Sequence, residues 1–210
     1  MPYPANHCET VRKRIVHAAR RLFNRSGFEA VSVNQIMSAA GLTRGGFYKY
    51  FASKGDLYIE VLSCFFTDPH WENQWEGIEI DSNAKCVAPQ VVRAYLSRQH
   101  FENVEASCPM VALPSDVARA DSKARRAFET VFQAMARYLQ RDLQNRDFRG
   151  LATAQAIAAL CIGGMVVARA MEDRTAADEL REACMALALQ LGGWGTTARG
   201  TRRSSRSASI

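Results

Sequence analysis

The 210-residue sequence lacks several signatures, and each absence narrows what it can be. Its six cysteines (Cys8, Cys64, Cys86, Cys108, Cys161, Cys184) form no Cys-x-x-Cys pair, and no histidine stands at metal-ligand spacing from them. That excludes a disulfide framework or a zinc knot and leaves the thiols as small core residues of a reducing compartment. No phosphate-cradling Gly-rich loop ending in Lys-Ser/Thr, no Gly-x-Ser-x-Gly elbow and no His-Glu-x-x-His occurs. His7, His17, His70 and His100 have no carboxylate or thiol partners spaced for a triad, so the reading is not an enzyme, and no cofactor is called for. The start, MPYPANHCET, has neither the basic head nor the apolar run of a secretory leader. The longest apolar stretch, Ala152 to Ala170, is broken by Thr153, Gln155 and Arg169 and reads as a buried helix, not a membrane span. A cytoplasmic protein with no membrane partner is expected. No internal repeat occurs, and no stretch alternates polar and apolar residues over a strand's length.

What is present is helical periodicity and an uneven charge. Hydrophobic residues make up 48% and charged ones 23%, enough for a packed core. The net charge of +6 concentrates at the ends. Residues 1–60 carry nine Lys and Arg against four acids, and residues 193–210 add four Arg (Arg199, Arg202, Arg203, Arg206) with no acid. The middle is mildly acidic. A basic head on an acidic body points to a polyanionic partner for the head.

Val11, Ile15, Ala18, Leu22 and Phe23 stripe a first helix, with Thr10 as its cap and Ser26-Gly27 as its stop. Ser32 caps a short second helix facing inward through Val33, Ile36 and Met37, and Gly41 breaks it. Thr43 caps a third, with Phe47 and Phe51 inward. Ser53 and Asp56 open a fourth that runs to about Phe66. After an irregular Thr67–Asn83, helices are expected over 85–102, 110–119, 122–146, 151–171 and 176–191. The expected division is a disordered start (1–9), a small helical head (10–54), a larger helical body (55–192) and a disordered basic tail (193–210). The fold class is all-α with about nine helices.

Residues 32–51, SVNQIMSAAGLTRGGFYKYF, carry the functional reading. None of these helices is long enough to stand alone in water, so they must pack on one another. Ile36, Ala40, Leu42 and Phe47 are spaced to hold two helices at a steep angle across the Gly41 turn. Thr43, Arg44, Gly45, Gly46, Tyr48 and Lys49 then point outward, a set suited to a helix laid in a DNA groove.

The segment AGLTRGGFYKYFASKGDL resembles the signature of the TetR/AcrR family of transcriptional regulators, and the resemblance covers residues 10–62. SCPMVALPSDVAR and GGMVVARAMEDRTAADELREA resemble the C-terminal domain of one subgroup. The resemblance implies an N-terminal three-helix helix-turn-helix domain and a C-terminal helical domain that binds a ligand and dimerises. It implies Ser32 and Gln35 at the phosphate backbone, Thr43 and Arg44 at the groove with Arg44 reading a guanine edge, and Gly45 permitting close approach. Tyr48, Tyr50 and Lys54 would bind phosphates, with Lys49 a further contact. Two positions depart from the pattern. Gly46 stands where a base-contacting side chain is common, and Met37 where a small alanine is common.

A recognition helix spans only a few base pairs, so a homodimer on a two-fold operator of double-stranded DNA is expected. Its surface would be Ala156, Leu160, Gly163, Gly164, Val167 and Ala170 with Ala183, Leu187 and Leu191. A pocket for an apolar or aromatic small-molecule effector would be lined by Phe65, Trp71, Trp75, Phe101, Cys108, Met110, Phe128, Phe132 and Met135. The functional expectation is a repressor released from a pseudo-palindromic operator by that effector. The alternatives are an activator of the same fold and a redox- or electrophile-sensing repressor acting through Cys108, where a helix N-terminus could lower the thiol pKa.

Overall fold

The computed structural model describes residues 5–66, 77–144 and 150–194. Among them there are eleven helices and no strand. In the head, α1 (Ala5–Ala30) buries Val11, Ile15, Ala19 and Phe23 on one stripe. It begins five residues before Thr10, so Thr10 is not its cap, and residues 5–9 are helical where disorder was expected. Glu9 and Lys13, one turn apart at 3.0 Å, support that added turn. The stop at Gly27 is present: its φ of 77° leaves the helical region.

Ser32 caps α2 (Val33–Ala39) through a reciprocal pair: Gln35 N–H donates to Ser32 Oγ at 3.3 Å, and Ser32 N–H donates to Gln35 Oε1 at 2.8 Å. Gly41 turns the chain at φ 66°. The next helix, η1 (Arg44–Lys49), winds as a 3-10 helix. Two consecutive glycines in six residues leave little intrinsic α-propensity there. Ser53 Oγ accepts from Asp56 N–H at 3.0 Å and opens α3 (Lys54–Ser63). Ile15, Phe23, Ile36, Met37, Phe47, Phe51 and Leu57 close into one core, to which Leu113, Val117 and Ala127 of the body also belong.

The body comprises α4 (Ala88–Tyr95), α5 (Arg98–Glu102), α6 (Pro109–Ala112), α7 (Pro114–Arg119), α8 (Ser122–Arg141), α9 (Gly150–Ala170) and α10 (Arg174–Leu191). Two expected helices are each split in two. Ser97 Oγ caps a fresh helix by accepting from His100 N–H, and Pro114, without an N–H, starts another. Asp121 and Asp173 cap α8 and α10 through their carboxylates. The apolar helix α9 is long enough to cross a membrane by length and composition, but here it packs between α8 and α10 through Ile157, Cys161 and Met165. Beyond α10 the chain turns back at Gly193 (φ 73°), and Trp194 Nε1–H donates to Asp142 O at 2.7 Å. The expected tail is therefore fixed at its first two residues; 195–210 lie outside the described residues, as does 67–76.

Candidate nucleic-acid interface

Phe47 positions the outward face of η1. It is fully buried, stacked on Phe51 at 5.7 Å and edge-on to Tyr48 at 5.3 Å. With Phe47 inward, Thr43, Arg44, Gly45, Tyr48 and Lys49 are exposed, Tyr48 at 66%. The Thr43 hydroxyl makes no cap bond. A Cβ on Gly45 would meet nothing within 4 Å, so the protein does not itself require glycine there. A Cβ on Gly46 would lie 3.6 Å from Met37 Cε. The two departures from the family pattern thus face each other: the larger Met37 fills space beside the missing side chain of Gly46, keeping the packing dense.

Electrostatics separate the basic residues that face outward from those that hold the head together. Arg12 chelates Glu60 through Nε (3.0 Å) and Nη2, donates to Tyr50 O, and lies 4.3 Å over the Phe51 ring. Arg14 donates to Ala40 O at the end of α2. Arg20 is 2% exposed beside Phe65. Arg21 and Arg25 reach Glu105 at 2.8 and 3.3 Å. Arg44 and Lys49 remain, both exposed and unpaired with any described residue. The two exposed head cations with no described partner both sit on η1.

Lys54 is a correction. Its ammonium points inward, donating to Phe28 O at 2.8 Å and Val31 O at 3.0 Å and lying 4.1 Å over the Phe28 ring. It ties α3 to the junction ahead of α2 instead of standing bare for a phosphate, because those carbonyls emerge beside it after the break at Gly27. Tyr50 is half-buried against the head core, while Ser32 and Gln35 are exposed but engaged in their mutual cap. Sequence reasoning missed the strap that fastens the head to the body. Asn24 Nδ2 donates to Glu105 O at 3.0 Å and Ser107 O at 2.8 Å, and Asp116 Oδ2 accepts from Phe28 N–H at 3.1 Å.

Of the residues assigned to a dimer surface, Ala156, Val167, Ala170, Ala183, Leu187 and Leu191 are exposed, Val167 at 53%, and Leu160 and Gly163 are half-buried. Leu151 and Val166 extend the apolar exposure. Gly164 does not belong: it is buried, and a Cβ there would come 2.8 Å from Cys184 Sγ and 3.3 Å from Leu96 Cδ2, so it serves the contact of α9 with α10.

Of the expected pocket residues, Phe65, Cys108, Met110 and Met135 are packed into the body core, with Phe128 and Phe132 half-buried against it. Phe101 alone of these borders a described cleft, of about 580 Å³. Trp71 and Trp75 lie outside the described residues. Cys108 is a further correction. It does cap α6, but that helix has four residues, and complete burial pushes the thiol up to about 12. The thiol stays protonated and out of reach of an electrophile.

A short helix packed across a glycine turn, presenting arginine, tyrosine and lysine outward, defines a helix-turn-helix protein. Comparisons with known proteins agree. Residues 15–61 match the model of the family "Bacterial regulatory proteins, tetR family". The uncharacterized HTH-type transcriptional regulator YxaF of Bacillus subtilis is 26% identical over 170 residues, 78% of this chain and 87% of that one. The HTH-type transcriptional regulator AcrR of Shigella flexneri is 40% identical over 53 residues, 25% of each chain. The reduced form of E. coli NemR shares the fold with a TM-score of 0.68 at 18% identity, covering 86% of this chain and 96% of that one. Over residues 15–61 the chain is similar to the DNA-binding domain of TetR-family transcriptional regulators, and its whole fold is that of solved TetR-type structures.

Proposed function

We propose that the chain is a cytoplasmic homodimeric repressor that grips a two-fold operator through η1 and releases it when the body binds a small molecule. The division of labour is a head over 10–54 and a sensing, dimerising body over 55–192. One observation carries the reading: Arg44 and Lys49, unpaired with any described residue, are exposed along η1 together with Tyr48, while Phe47 of the same helix is buried. Arg44 reads a base edge, Tyr48 and Lys49 hold phosphates, and Thr43 sits at the groove. Ser32 and Gln35 approach the backbone from the start of α2, and Gly45 lets it come close. Tyr50 contributes through the same rim. The apolar strip of Ala156, Gly163, Val167 and Ala170 with Ala183, Leu187 and Leu191 pairs with its own copy.

The test is site selection from random duplex DNA, followed by fluorescence anisotropy on the selected site. Arg44→Ala should relax sequence preference and weaken specific binding by about 1–3 kcal/mol per half-site, leaving affinity for random DNA nearly unchanged. Equal losses on selected and random DNA would reject base readout by Arg44. Failure to select any site would reject the operator reading.

A further inference from the structure

Where α9 ends and α10 begins, the cleft of about 580 Å³ opens against α5. Its carboxylates, Glu102 and Asp178, are already taken. Arg98 Nε–H donates to Glu102 at 2.8 Å and Arg98 Nη1 lies 3.5 Å from Asp178, which is also held by the buried Arg181. Two other cations border the cleft without an acid. Arg169 donates to Phe101 O at 3.2 Å, to Ser107 Oγ at 3.0 Å and to His100 O, all neutral acceptors. Burial draws its pKa down to about 10, the mark of a charge lacking a counter-ion. Arg174 is exposed, its guanidinium 5.2 Å over the Phe101 ring, and pairs with no described carboxylate. Beside them stand Val104, 39% exposed, and the buried Phe101, whose ring also has the Arg181 guanidinium 4.9 Å away. A half-buried cation without a counter-ion is costly, and an anion held beside it in good geometry offsets part of that cost.

We propose that this cleft binds a small aromatic carboxylate, its carboxylate held by Arg169 and Arg174 and its ring against the exposed Val104. The site deepens the repressor reading and rests on it only for the consequence of binding. That consequence runs through Ser107. Its Oγ accepts from Arg169 and contacts His100 Nε2 at 2.8 Å, while its carbonyl accepts from Asn24 of α1. Two residues earlier, Glu105 holds Arg21 and Arg25. A carboxylate that draws Arg169 off Ser107 acts on the strap that anchors α1, and DNA affinity falls.

Calorimetric titration of the full chain with 2-naphthoate and with neutral 2-naphthamide tests the site. The acid should bind at least about tenfold more tightly than the amide, the worth of one charge-assisted contact. Arg174→Gln should remove about that factor for the acid, leave the amide unchanged and, at an exposed position, leave the melting temperature unchanged. No heat from naphthoate up to about 1 mM, equal binding of acid and amide, or undiminished naphthoate binding by the variant would overturn the site. Anisotropy on the selected operator then tests the relay. Saturating naphthoate should weaken DNA binding about tenfold or more, and unchanged DNA affinity with naphthoate bound would overturn the coupling. Naphthoate binding by a chain that selects no DNA would support the cleft and reject the repressor reading. Operator binding with no carboxylate binding would do the reverse.

Discussion

Replacing Lys54 by methionine separates a phosphate contact from an internal tie. The substitution keeps the apolar stem and deletes the ammonium, and with it two hydrogen bonds to Phe28 O and Val31 O and a cation–π contact with Phe28. Hydrogen bonds from a charged donor contribute about 1.5–3 kcal/mol, and a cation over a ring at a half-buried site adds about 0.5–1 kcal/mol. Part of this returns when the freed carbonyls meet water, so the net loss should be about 2 kcal/mol. For a chain of this size that lowers the melting temperature by about 4–8 °C. Calorimetry gives the stability, and anisotropy across a salt series gives the number of phosphate contacts. The salt slope should stay that of the parent. If the melting temperature is unchanged while the slope falls by about one unit per half-site, Lys54 is on the phosphate and the inward placement is refuted.

Three further outcomes follow from the packing. Val167→Asp should turn the proposed dimer into a monomer by light scattering while the circular dichroism stays helical; a parent chain that is itself monomeric would reject the dimer, and a variant that stays dimeric would move the interface elsewhere. His100 is buried and neutral, its Nδ1–H donating to Tyr95 O at 2.6 Å and its Nε2 accepting from Ser107, with Arg169 opposing a positive charge nearby, and burial lowers its pKa to about 4. The unfolded chain binds the proton first, so this stability is complete above about pH 6.5, is lost as pH falls toward 4, and amounts to roughly 3 kcal/mol. His100→Gln should flatten denaturant midpoints across that window. Gly164→Ala should destabilise by about 1–3 kcal/mol through the clash with Cys184, and Gly164→Ala with Cys184→Ala should recover part of it; additive losses would contradict the contact.

The local rules of the chain were legible because they act over a few residues. Gly41 had to turn, Ser53 had to cap, and Phe47 had to face in where Arg44 and Tyr48 faced out; each follows from neighbours within one or two helical turns. The outer ends of the helices were less legible. Thr10 is a residue type that caps, yet nothing before it breaks the helix, and the chain runs on.

Sequence by itself determined that the molecule is helical, where the head turns, and which short helix carries the exposed arginine and tyrosine. Tertiary structure alone decided which charges are free. The partner of Arg12 is 48 residues away, that of Arg21 is 84 away, and the carbonyls that hold Lys54 are 26 and 23 away. No periodicity relates such positions, so a count of basic residues gives the sign of the head's field but not the side chains that project it. The same reason buried Cys108, placed Gly164 inside the chain and left Arg169 a cation without an acid. Each depends on which distant segment packs alongside, and only the closed core supplies that segment.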